Sequence, residues 1–147
     1  MSLHFSGRLN NCLGKVYAKR HEITDRFYEL LFDDQPDVKA MFKGDFHKQK
    51  EMFSMMIAML ARCSATGQDP VDMGRQIRDQ HKSMDIAPEL FVRAGVILRQ
   101  AFIDELGDEI GDFEKALLTD SIGRLTASIN GQVPCGSSPQ EQASEAG

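Results

Sequence analysis

Residues 71–81 read Val-Asp-Met-Gly-Arg-Gln-Ile-Arg-Asp-Gln-His. Met73, Ile77 and His81 recur one helical turn apart, so a helix over this stretch carries all three on one face, with the imidazole at its end. Asp69 and Pro70 just before it are helix-start signals. A histidine that closes an apolar face turns its ring toward the core. Taken alone, such a residue is most often a hydrogen-bonded structural histidine, so its neighbours decide what it does.

Outward from this segment the period stays helical. An amphipathic stretch covers about residues 4–18, with Phe5, Leu9, Leu13 and Val16 at spacings of three and four. Ile23, Phe27, Leu30 and Leu31 repeat the pattern in a helix that must end near Asp33, because Pro36 disfavours helix in the residue before it. Pro36 to Phe42 reads as a short helical turn, followed by a corner at Lys43, Gly44 and Asp45. Residues 46–65 form a long helix with Gln49, Phe53, Met56, Ile57 and Leu60 on one face, and Met52, Met55, Met56 and Met59 read as adaptable core filling. Pro88 opens a helix whose stripe is Leu90, Ala94, Ile97, Leu98 and Ala101, continuing to Ile103 or Glu105, and Gly107 stops it. The last helix, about 111–130, turns Leu117, Leu118, Ile122, Leu125 and Ile129 inward. No repeat and no strand stands out, so the fold class is all-α. Residues 1–133 form one domain, and 134–147, rich in Gln, Ser, Gly, Pro and Glu, are expected to be a disordered tail.

Composition narrows the function. A chain of 147 residues buries a sizeable core as one domain. Its net charge is −5 and its 17 Lys and Arg are spread along the chain, which argues against nucleic acid, since phosphate neutralisation needs a basic face. Cys12, Cys63 and Cys135 are an odd number at unrelated spacings, giving neither a disulfide framework nor a zinc site, and a reducing cytoplasm fits best. No apolar run is long enough for a membrane span.

Gln49 precedes His81 by 32 positions, Phe42 by 39 and Tyr28 by 53. Gln49 heads an apolar stripe and Tyr28 lies beside one. Each alone has an ordinary structural explanation, a helix-start residue and a tyrosine with one hydroxyl partner. Together, the run Phe27-Tyr28-Glu29-Leu30-Leu31-Phe32, then Pro36, Phe42, Gln49 and His81, followed by Ile86, Pro88 and Phe91, resembles the single-domain bacterial globins and the globin part of flavohaemoglobins. The resemblance covers about residues 4–133.

It implies a globin fold, three helices packed on three, with haem b in the crevice. His81 matches the proximal histidine that coordinates iron, and Phe42 the phenylalanine stacked on the porphyrin. Gln49 matches the distal residue, Tyr28 the distal tyrosine, and Phe53 an apolar residue crowding the sixth coordination site. Ile77 and Ile97, on the helices that flank the crevice, are further expected cofactor contacts. Flavohaemoglobins carry a tyrosine ten residues after the proximal histidine and a glutamate late in the last helix. Here Phe91 stands in the first place, and the late helix offers Ile122, Leu125, Ile129 and Val133. The function implied is reversible binding of oxygen, with NO and CO as further gases. The alternatives are a gas or redox sensor acting on a separate partner, and an NO dioxygenase supplied by an external reductase. The expected oligomer is a monomer or a homodimer.

Overall fold

The computed structural model describes residues 11–42 and 44–131. Expectations at Phe5, Leu9, Lys43, Val133, Cys135 and the 134–147 tail lie outside the described residues.

The described residues contain helices and no strand. Residues 11–18 are helical (α1). α2 runs Arg20–Asp34 and a 3-10 turn follows at Pro36–Met41, where the missing proline N–H costs nothing. α3 spans Phe46–Thr66. Its first turn is fixed by Asp45, whose carboxylate accepts from the Lys48 backbone N–H at 3.1 Å. Gly67 closes α3 at φ 77°, in the left-handed region that favours glycine. α4 covers Val71–Gln80, and a short 3-10 turn, Lys82–Met84, follows it. α5 spans Pro88–Leu106 and ends at Gly107, with φ 50°. α6 runs Asp112–Ile129.

α2 packs on α3 and α5, and α6 packs on α3, α4 and α5. Ile23, Ile57, Leu60, Ala101, Leu106 and Val16 are almost completely buried where these helices meet. The apolar stripe of α5 differs in its second half from the expected one. Beyond Ala101 the buried positions are Phe102 and Leu106, not Ile103 or Glu105, because the stripe follows steps of four from Leu98 and so drifts around the helix. The methionines of α3 also differ. Only Met56 packs against the core, while Met52, Met55 and Met59 are each about half exposed. Among the described residues, no helix is long and apolar enough to cross a membrane.

Lys19, which caps the start of α2, donates from Nζ to the Glu105 carbonyl at the end of α5 at 3.0 Å. Arg93 on α5 forms a two-point ion pair with Asp34 at the end of α2, at 2.9 and 2.7 Å. α2 and α5 are thereby tied together at both ends.

Candidate functional site

A cavity of about 460 Å³ opens between α2, α3, α4 and α5, with α6 behind, within the range of about 300–1,000 Å³ typical of small-molecule and cofactor sites. It is walled mainly by apolar side chains, among them Phe27, Leu31, Phe42, Phe53, Ile77 and Leu98. Tyr28, Gln49 and His81 converge on it from α2, α3 and the end of α4, and Asp45, Gln80 and Thr126 add further polar side chains to its lining.

His81 caps α4, where its backbone N–H bonds to the Ile77 and Arg78 carbonyls at 3.1 Å. Its ring Nδ1 lies 2.7 Å from the Ile77 carbonyl oxygen. A carbonyl only accepts, so Nδ1 donates, and the neutral imidazole keeps its lone pair on Nε2. One backbone contact thus fixes the tautomer, holds the ring and leaves a ligand nitrogen free, which is how metal-binding histidines are oriented. Phe91 stands edge-on to this ring, with centroids 5.8 Å apart and an interplanar angle of 89°.

Tyr28 is 4% exposed. Its ring touches five phenylalanines, Phe27, Phe32, Phe42, Phe46 and Phe53, at centroid distances of 5.1–5.7 Å, and Phe27 stacks on Phe53 at 4.4 Å. This aromatic packing places the hydroxyl where Gln49 Nε2 donates to it at 3.3 Å. The tyrosine oxygen is the acceptor in that bond, so its own proton remains available to a third group. Burial pushes the phenol up to about 12, against the opposing pull of the Gln49 hydrogen bond. It is a neutral donor at ordinary pH.

Of the residues singled out in the sequence, Tyr28, Phe42, Gln49, Phe53, Ile77 and His81 all line this one cavity. Ile97 does not. It is 5% exposed in the core beside it, and the next residue, Leu98, faces the cavity instead. Adjacent residues on a helix point about 100° apart, and here Leu98 takes the cavity side of α5 while Ile97 turns into the core. Sequence reasoning missed Phe27 and Phe46, whose spacing marks them as core residues and nothing more. It also missed Gly95 and Thr126, where α5 and α6 approach so closely that a Cβ on Gly95 would lie 2.7 Å from Thr126 Oγ1. His47 is exposed, and His21 faces Glu51 on the surface at 3.5 Å.

The donor set bears on what the cavity can hold. Among the described residues, no group of three or more His, Cys, Asp or Glu side chains is placed to hold a metal ion. A single oriented imidazole in an apolar cleft fits a metal whose other ligands come from a flat organic cofactor.

The chain is similar to the Flavohemoprotein of Bacillus subtilis (strain 168), with 32% identity over 90 residues, covering 58% of this chain and 22% of the relative. The chain thus matches under a quarter of that relative's length. The similarity is a distant one to the globin region of that protein, and with the all-α architecture it makes the chain globin-like. No family model matches the chain. No solved structure matches it.

Proposed function

We propose that this chain is a haem protein of the globin family, its helices forming the three-on-three sandwich, and that it binds oxygen reversibly. The observation that carries the reading is the 2.7 Å contact of His81 Nδ1 with Ile77 O, which leaves Nε2 free in an aromatic cavity beside two hydrogen-bond donors.

His81 Nε2 would coordinate the iron of haem b, with Phe42, Phe53 and Ile77 supplying apolar contact to the macrocycle. Haem would contribute a ferrous centre able to take up a diatomic gas such as oxygen, NO or CO. The chain's own residues do the rest. Tyr28 is held protonated and points its donor into a water-poor space. Gln49 donates to the Tyr28 oxygen, which strengthens that hydroxyl as a donor through cooperative polarisation. The phenylalanines around Tyr28 exclude competing water and stop the ring from turning away. A ligand that gains negative charge on binding is stabilised by these donors, and a less polar one is stabilised little.

The test is haem titration of the purified 147-residue chain, followed by its Soret absorption. One equivalent should bind, and His81→Ala should lose the band or make it depend on added imidazole. An unchanged spectrum in the variant would overturn the assignment of His81, and absence of uptake by the natural chain would overturn the haem reading.

A further inference from the structure

Outside the cavity, α3 carries a surface that the core does not use. Met52, Met55 and Met59 are 52, 50 and 53% exposed. At about 100° and 1.5 Å per residue, they share a sector about 60° wide along some 10 Å of helix. These three are the only large apolar side chains exposed on α3, and all are methionine. A face meant only to bury area would be served as well by leucine. What methionine adds is a neutral, soft sulfur on a stem with three rotatable bonds. The axial steps of about 4.5 and 6 Å are short enough for such stems to bring their sulfurs together near Met55.

The flank of this face carries further groups. Glu51 lies one turn before Met55, and His21 at the start of α2 brings Nδ1 to 3.5 Å from Glu51 Oε1. A carboxylate one turn from Met55 favours a cation at that end of the face, and both thioether and imidazole suit copper.

We propose that Met52, Met55 and Met59 form a thioether site for one soft monovalent metal ion, copper(I) or its mimic silver(I). Hard divalent ions are excluded by the same chemistry, since neutral sulfur holds them weakly. Binding changes no oxidation state and displaces only water. Of the three, only Met52 lines the cavity, so Met55 and Met59 test this site independently of the haem reading.

The experiment uses the full chain with methyl-13C methionine and with Cys12, Cys63 and Cys135 replaced by Ala, so that thiolates do not capture the metal. If the Cys12→Ala change prevents folding, the buried Cys12 is kept and only the other two are replaced. Silver(I) in chloride-free buffer should shift the Met52, Met55 and Met59 methyl signals together, saturating at one ion per chain. Met73 should stay in place. Met55→Leu and Met59→Leu keep the apolar volume, and each should weaken binding at least about tenfold as a soft donor is lost. Zinc(II) should move none of these signals. Methyl signals of the trio that stay fixed under silver(I), or leucine variants that bind it as tightly as the parent, would overturn the proposal.

Discussion

Tyr28→Phe removes one oxygen from a ring that is 4% exposed and packed against five phenylalanines, so the fold should barely register it. What it removes is a donor. Because Gln49 Nε2 already donates to the hydroxyl at 3.3 Å, the tyrosine's own proton is free for a gas in the cavity. A hydrogen bond to a charged partner contributes about 1.5–3 kcal/mol, and about 1.4 kcal/mol is a factor of ten. Oxygen release from the haem-loaded variant should therefore be about ten to one hundred and fifty times faster. Carbon monoxide release should change much less, since that ligand carries little charge to stabilise. Stopped-flow displacement of each gas measures both rates. Equal acceleration of the two would mean that Tyr28 acts by filling space, and unchanged oxygen release would mean that its donor does not reach the ligand.

Phe91 meets the His81 ring edge-on and brings no hydroxyl to it, so the haem-loaded chain should be a weak peroxidase, and Phe91→Tyr should raise turnover with hydrogen peroxide. Strong activity in the natural chain, little altered by the substitution, would refute this account of His81. Gly74→Ala would put a Cβ 2.5 Å from Ser128 Cβ and Oγ and 3.0 Å from the Leu125 carbonyl. It should cost about 1–3 kcal/mol by overpacking, seen as a lower thermal midpoint and relieved in part by adding Ser128→Gly. A variant as stable as the parent would show that the helices part freely there. The Arg93 guanidinium, with help from Gln35, lowers the Asp34 carboxyl from its ordinary 3.8 to about 2. A carboxyl lowered in the folded state stabilises the fold above its ordinary value, and that stabilisation is lost as pH falls toward about 2. Arg93→Ala should shift acid unfolding, followed by circular dichroism, to higher pH within that window. Identical acid titrations of the two chains would count against the pair.

Much of this was legible in the sequence because helix signals are local. Pro36, Pro88 and Gly107 mark boundaries through backbone chemistry that no neighbour can override. Met73, Ile77 and His81 share a face by spacing alone. The cavity residues were read only through their joint spacing, since Tyr28, Gln49 and Phe42 are each unremarkable. What failed to show was set by packing between segments distant in the chain. The choice of Leu98 over Ile97 depends on how α5 rolls against α2 and α6. The exposure of Met52, Met55 and Met59 depends on none of the described helices covering that side of α3. Burial of Ser54, Ser121 and Ser128 is equally tertiary. Ser121 finds Ser64 at 2.8 Å across 57 residues of chain, a pairing that no local pattern announces.

α4 has ten residues and rests on α6 with almost no side chain between them, because Gly74 faces Ser128. Ser128 Oγ also donates to the Val71 carbonyl at 2.5 Å, and Asn130 Nδ2 donates to the Pro88 carbonyl at 3.3 Å. The last turn of α6 therefore grips both the start of the helix that ends in His81 and the start of the one that carries Phe91. It works as a gauge block, setting how far the imidazole stands from the cavity's opposite wall. Seven residues, about 10 Å of axis, separate Gly74 from His81, so a wedge at that contact becomes a tilt whose far end is the ring. A change at residue 128 would thus reach the site as an altered standoff, with every group that lines the cavity left chemically the same.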